Sequence, residues 1–76
     1  MEIILGGYLT FYHPEKENRL SVEVSEPASL LAVLQRLDFP TGEIHLAVVN
    51  GEAVDMAETI VSNQDEVKLY SAVGGG

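Results

Sequence analysis

The sequence predicts an α+β fold in which one short helix packs against one face of a mixed β-sheet. Three observations support this prediction. Polar and apolar residues alternate in segments near both ends of the chain, helical spacing of apolar residues occurs in one segment, and the segments follow the order strand, strand, helix, strand, short strand, strand. A chain of 76 residues, 46% of them hydrophobic, can build one modest core. We therefore expect a single domain over residues 1–72.

The chain is predicted to begin with a hairpin. Residues 2–12 are rich in Ile, Leu, Tyr, Thr and Phe and favour a strand, in which Gly6-Gly7 marks a bulge or a close backbone approach. The polar segment 13–18 reads as a turn. Residues 19–24 alternate as in a strand with one buried face, whose apolar members are Leu20, Val22 and Val24.

A short helix is predicted to follow. It begins either at Glu26 with Pro27 in the first turn or at Ser29 as the N-cap, since both patterns are typical of helix starts. Residues 38–42, with Pro40 and Gly42, end it. The predicted apolar face of the helix consists of Leu30, Val33, Leu34 and Leu37.

The second half of the chain is predicted to supply the remaining strands. Residues 44–49 form a strand, Asn50-Gly51 a tight turn, and 52–54 a short return strand. Residues 55–62 lack clear periodicity and are expected to form a loop with at most one helical turn. After a turn at 62–65, the final strand over 66–70 is predicted to point Val67 and Leu69 inward.

The charge of the chain disfavours two classes of partner. Four Lys/Arg against twelve Asp/Glu give a formal charge of −8, which repels nucleic-acid phosphates and anionic lipid. The acidic residues are scattered, which is typical of a solvated surface, with a basic partner surface as the alternative. The N-terminus lacks the features of a signal peptide, and no segment approaches the roughly 20 apolar residues of a membrane span. We expect a cytoplasmic protein that binds neither nucleic acid nor membranes.

Catalytic and metal-binding side chains are not indicated. The chain has no cysteine, and its two histidines, His13 and His45, lack paired ligand spacing. No serine lies in a nucleophile motif. The sequence therefore predicts neither a metal site nor nucleophilic catalysis by a side chain.

The C-terminal residues Val73-Gly74-Gly75-Gly76 suggest that the free carboxylate is itself the reactive group. Glycine has no Cβ, so the terminal acyl carbon is unshielded and the tail can thread a narrow channel. Four extended residues reach about 13 to 14 Å beyond the last anchored residue. We expect 73–76 to be a flexible tail. The alternative is a glycine-rich end without function.

Several segments together resemble the MoaD/ThiS family of ubiquitin-like, β-grasp sulfur carrier proteins. The segment 48–52 looks like the Val-Asn-Gly-Glu turn of that family, 65–67 resembles its Gly-Asp-x-Val turn, and 73–76 is similar to its C-terminal Gly-Gly. Residues 29–34 resemble its helix start. The resemblance covers essentially the whole chain and implies a β-grasp fold.

The sequence departs from the family pattern at two places. Gln64 replaces the usual glycine before the aspartate, and Ser71-Ala72 precede Val73 where molybdopterin-type carriers often have Pro-Pro. The ending therefore looks nearer the thiamine type, whereas the long first hairpin looks nearer the molybdopterin type. We place the molybdenum or tungsten pterin pathway ahead of thiamine biosynthesis.

The resemblance implies a carrier and not an enzyme. An activating enzyme would use ATP to adenylate the carboxylate of Gly76, a sulfur donor would replace AMP, and the thiocarboxylate would pass sulfur to an acceptor, either the molybdopterin synthase large subunit or thiazole synthase. Gly75 and Gly74 would form the slender tail and Val73 its apolar anchor, with no cofactor bound to the carrier. If Tyr70 emerges on the uncovered sheet face, it would mark a partner site.

Two other functions compete with this interpretation. A ubiquitin-like modifier would join Gly76 to lysines of target proteins. A plain interaction module would not need its terminal glycines at all.

Overall fold

The computed structural model describes residues 1–6, 9 and 18–71. The turn predicted at 13–18 lies outside the described residues except for Asn18, and so does the tail at 73–76. The strands are β1 (Glu2–Gly6), β2 (Arg19–Ser21), β3 (Ala28–Ser29), β4 (Ile44–Val49), β5 (Glu52–Val54), β6 (Ile60–Val61) and β7 (Glu66–Ser71). The helix α1 spans Leu30–Arg36, and a 3₁₀ turn spans Thr41–Glu43.

Within the described residues, five strands form a mixed sheet in the order β2-β1-β7-β4-β5. β1 and β7 are parallel and the other neighbouring pairs are antiparallel. A smaller sheet pairs β3 with β6. The predicted fold of a mixed sheet packed against one main helix is confirmed.

The core lies between this sheet and α1. Alternation along the strands turns Ile3 and Leu5 of β1 inward beside Val67 and Leu69 of β7, their partners in the parallel register. All four side chains are buried in one cluster with Leu30, Val33 and Leu34 of α1. The predicted inward direction of Val67 and Leu69 is therefore confirmed.

The strand predicted over 19–24 is shorter than expected. It ends at Ser21, although Val24 is buried as predicted. The backbone N–H of Val24 donates to Oδ1 of Asn63 at 2.6 Å, so a side chain takes the place of a neighbouring strand. Val22 still exchanges backbone hydrogen bonds with Met1, at 2.8 and 2.7 Å, so the change from strand pairing to a side-chain partner occurs after Val22, where the sequence pattern alone would continue the strand.

The helix begins at Ser29, the second of the two predicted starts. The Ser29 hydroxyl accepts a hydrogen bond from the N–H of Ala32 at 3.1 Å. Two further N–H groups of the first turn, those of Leu30 and Leu31, donate to the carbonyls of Thr59 and Met56 at 2.8 and 3.0 Å. These two bonds anchor the segment 55–62, which was predicted to be a loop with at most one helical turn and which also contains β6.

The helix ends in a Schellman motif. Asp38 adopts φ 57°, its N–H donates to the carbonyl of Gln35 at 3.1 Å, and the N–H of Phe39 donates to the carbonyl of Leu34 at 3.0 Å. Phe39 is buried with Leu34, which completes the hydrophobic contact typical of this motif. The prediction that Leu37 belongs to the buried helix face was wrong. It is the C-cap and is 39% exposed, since the turn brings Phe39 into the core instead.

Two turns are joined by a side-chain clamp at the beginning of β7. Asn50 and Gly51 both have positive φ, 52° and 86°, as a two-residue hairpin turn requires. The Asn50 amide donates to Asp65 Oδ1 at 2.8 Å and accepts from the N–H of Glu66 at 2.9 Å. The other Asp65 oxygen accepts from the N–H of Ser62 at 2.7 Å. We call Asn50 and Asp65 the turn clamp.

Hydrogen bonding in the turn clamp favours the charged form of Asp65. Donation from the Asn50 amide, followed by that from the Ser62 backbone, lowers the pKa of Asp65 from its usual value. A group with a lowered folded-state pKa stabilises the protein above its unfolded-state pKa, and this stabilisation is lost as the pH falls through the folded-state pKa.

Replacing Asp38 by glycine is expected to stabilise the protein by up to about 1 kcal/mol, because glycine adopts the left-handed conformation without a Cβ penalty. Urea unfolding of Asp38→Gly measures this, with Gly42→Ala as a control at a glycine without a positive φ. A clear loss of stability in Asp38→Gly would contradict the assignment of the motif.

Replacing Asp65 by alanine is expected to lower the free energy of unfolding by about 1 to 2 kcal/mol at neutral pH, because two charge-assisted hydrogen bonds are lost. The difference from wild type should persist above the usual aspartate pKa of about 4 and shrink as the pH falls below it. Urea titrations at several pH values measure it. Glu58→Ala removes an equal charge outside the turn clamp and should show little effect. A pH-independent difference would exclude Asp65 ionisation as its source.

Candidate functional site

The predicted reactive tail continues directly from β7. Val73, Gly74, Gly75 and Gly76 lie outside the described residues, whereas Tyr70 lies near the end of β7. The end of β7 is therefore the described part of the structure that lies nearest to Gly76 along the chain. The site that the structure describes is the sheet surface around Tyr70.

One face of the five-stranded sheet is not covered by α1. Residues of β7 that alternate with Val67 and Leu69 point to this side, and their register partners point with them. Lys68 pairs with Ile4 on β1 and Val48 on β4, and Tyr70 pairs with Gly6 and Leu46. The same alternation places Glu66 and its partner Glu2 on this side. We call the whole set the open face: Glu2, Ile4, Gly6, Leu46, Val48, Glu66, Lys68 and Tyr70.

The open face carries exposed apolar side chains at the end from which the tail departs. Leu46 is 43% exposed and Tyr70 is 38% exposed, and the two are cross-strand partners. They are two of the four large apolar side chains exposed within the described part of the chain. Adjacent exposed apolar side chains of this kind are a candidate contact surface for another protein. The structure thus places Tyr70 on the sheet face opposite α1.

Gly6 allows the Tyr70 ring to lie directly against the backbone of β1. A Cβ on Gly6 would lie 2.5 Å from Cδ1 and 2.7 Å from Cε1 of Tyr70, closer than carbon atoms can pack. The register between β1 and β7 continues through Gly6, so the close approach, and not a bulge, explains this glycine. Gly7 lies outside the described residues. The sequence indicated a close approach at these glycines but could not identify the ring.

A bulge lies beside the end of β7. Ile44 pairs with Ser71 and Leu46 with Tyr70, so His45 is the extra residue between them. His45 is exposed. In the described segments, no group of three or more His, Asp or Glu side chains could hold a metal ion. His13 lies outside those segments.

The opposite end of this sheet surface is polar. Arg19 donates to Glu2 at 3.0 Å, and the hydroxyl of Ser21 donates to the other Glu2 oxygen. The Ser21 hydrogen bond, followed by that from Arg19, lowers the pKa of Glu2. The cation of Arg19 is therefore already engaged within the molecule. No helix of the described chain is long and apolar enough to cross a membrane.

Replacing Gly6 by alanine is expected to displace the Tyr70 ring and to cost about 1 to 3 kcal/mol, because the new methyl group overlaps the ring. Urea unfolding and the NMR signals of the Tyr70 ring measure the two effects. In a Tyr70→Ala background, Gly6→Ala should lower the free energy of unfolding much less. A double-mutant cycle measures this difference. Gly42→Ala is the matched control, since no atom lies within 4 Å of a Cβ there. Equal costs in both backgrounds would contradict the proposed contact.

Comparison with known proteins agrees with this fold. The model of the ThiS family matches residues 8–76. A solved chain from a complex of subunits 1 and 2 of molybdopterin-converting factor, from Helicobacter pylori 26695, shares the fold with a TM-score of 0.53. The two chains are 22% identical and each is covered over 100% of its length. No curated protein matches the chain. Because the family model spans nearly the whole chain, the protein belongs to the ThiS family of small sulfur carrier proteins with the β-grasp fold, which are not enzymes themselves.

Proposed function

We propose that the protein carries sulfur as a thiocarboxylate on Gly76 for the biosynthesis of the molybdopterin or tungstopterin cofactor. The observation that carries this proposal is the extent of the family match, which runs through the glycine tail to residue 76. The open face supports it, because exposed apolar side chains, those of Tyr70 and its cross-strand partner Leu46, lie beside the end of the strand that leads into this tail.

The chemistry requires activation of an unreactive group. The carboxylate of Gly76 attacks the α-phosphorus of ATP in a partner enzyme, pyrophosphate leaves, and an acyl adenylate forms. A donor equivalent to hydrosulfide then attacks the acyl carbon, the bond to AMP breaks, and the terminal thiocarboxylate remains. ATP belongs to the activating enzyme, and the carrier binds no cofactor of its own. The absence of a side chain on Gly76 leaves the acyl carbon accessible at both steps.

The folded body contributes binding and position. Tyr70 and Leu46 would contact the partner enzyme, Val73 would anchor the tail at the mouth of a channel, and Gly74 and Gly75 would pass through it. In this division of roles, the folded domain of the carrier supplies binding and orientation. The activating enzyme supplies the catalytic groups. The carrier would then hand its sulfur to an acceptor synthase.

Support for the pterin pathway comes from the neighbouring structure. That structure is a complex of subunits 1 and 2 of molybdopterin-converting factor. The protein shares the fold of one chain of this complex. We therefore propose a synthase large subunit as the acceptor. The second candidate is sulfur transfer to thiazole synthase in thiamine biosynthesis, which the ThiS family match and the Ser71-Ala72 ending favour.

Mass spectrometry of the protein from its native cells is expected to show a fraction heavier by the difference between one sulfur and one oxygen atom, located on Gly76. A variant with one additional alanine after Gly76 should lack this form and should not function, while its urea unfolding curve stays that of the wild type. The fold should survive because β7 ends at Ser71, before the tail begins.

Other outcomes separate the competing functions. Conjugates of Gly76 with lysines of other proteins would favour a modifier, and full function of the extended variant would favour a plain interaction module. Complementation of two strains, one lacking the molybdopterin carrier and the other the thiamine carrier, distinguishes the two pathways. Rescue of the thiamine strain alone would overturn the pterin assignment.

A further inference from the structure

We infer that Lys68, at the centre of the open face, binds a carboxylate on an otherwise apolar surface of the enzyme that activates Gly76. This inference rests on the proposed function, since it concerns the partner of the same tail. The activating enzyme is chosen as the occupant because both candidate pathways require it.

The position of Lys68 makes it part of any interface on this face. Its strand neighbours on this side are Glu66 and Tyr70, and its partners across the sheet are Ile4 and Val48. Its side chain is half-buried. A lysine in such a position lays its aliphatic stem along apolar neighbours and keeps its ammonium group at the surface. A partner that covers Tyr70 must also cover Lys68.

Lys68 differs from the other cation of this sheet surface. Arg19 is paired with Glu2 at 3.0 Å. Within residues 1–6, 9 and 18–71, no ion pair involves Lys68, not even with Glu66 next to it on the same face. The ammonium group therefore has no acidic partner in the described structure.

The cost of desolvation indicates what the partner must provide. Covering an ammonium group with an apolar surface is strongly unfavourable unless an opposite charge pairs with it. A partner attracted by the net charge of −8 would be basic overall and would repel Lys68 if its basic groups faced this residue. A carboxylate of the partner placed opposite Lys68 removes both penalties. A protein surface without such a carboxylate would bind the open face less tightly.

The test measures the KM of the purified activating enzyme of the same organism for the carrier, by carrier-dependent exchange of pyrophosphate into ATP. Lys68→Met keeps the apolar stem and removes the charge, and it is expected to raise KM about tenfold or more. Lys68→Glu should raise KM further, and Lys68→Arg should stay near wild type. The rate at saturating carrier should change little, because Lys68 lies away from the reacting carboxylate.

The matched control is Arg36→Met, which removes the same charge from the end of α1 and not from the open face. Its KM should equal that of wild type or fall slightly, as a more acidic carrier is attracted more strongly. Circular dichroism and urea unfolding confirm that each variant is folded.

Two results would overturn the inference. If Lys68→Met and Arg36→Met have the same KM while the wild type supports exchange, Lys68 has no carboxylate partner and the proposed function still stands. If the wild-type carrier supports no exchange, the proposed function fails and this inference fails with it.

Discussion

The pairing of β7 on both of its edges is the constraint on which the rest of the structure depends. β1 flanks it in parallel and β4 in antiparallel orientation. Successive side chains of β7 point to opposite sides of the sheet, so Val67 and Leu69 are buried on one side and Lys68 and Tyr70 lie on the other. A register shift of one residue would exchange the core with the open face. One strand thus determines the hydrophobic core, the composition of the open face and the point from which the tail continues.

The two ends of β7 have different roles. The turn clamp lies at its beginning, where Asn50 and Asp65 join two turns through hydrogen bonds of 2.8 and 2.9 Å to each other and to Glu66. These residues belong to the segments that carry the family resemblance, so that resemblance depends partly on residues that build the fold. The predicted chemistry lies beyond the other end of the strand. The part of the family resemblance that Asn50 and Asp65 carry is therefore explained by their structural role in the turn clamp.

The sequence predicted elements well where local patterns determine them. The bounds of β4 and β5 agree with the prediction, since alternation and the Asn50-Gly51 turn specify both. Elements determined by distant contacts were missed. β3 and β6 have two residues each, and the hydrogen bond from Leu30 to Thr59 that accompanies their pairing leaves no periodic signal. Leu37 was misplaced because helical spacing does not show that a Schellman turn brings Phe39 into the core.

The same distinction applies to the candidate site. The chemistry of the glycine tail was predicted from residue type and position along the chain, and it stays a prediction. For Tyr70 the sequence supported only a conditional prediction, that of a partner contact if the ring emerges on the second sheet face. The sequence could not show that the Tyr70 ring packs against Gly6 or that Lys68 lies at the centre of the open face. Both depend on the register between β1, β7 and β4. Local sequence patterns indicate which side chains are candidates for function. The strand register determines which of these side chains lie on the same face of the sheet.

A carrier without catalytic side chains still needs a rigid surface near its reactive end. Binding of the carboxylate alone would have to offset the loss of translational and rotational freedom of the whole protein. When the open face binds first, entry of the tail becomes an intramolecular step, for which a short connection provides an effective concentration on the order of millimolar. Only five residues lie between Tyr70 and Gly76 along the chain. Under the proposed function, affinity would reside in the folded surface, and the terminal glycines would be small enough to enter both the activating enzyme and the acceptor synthase.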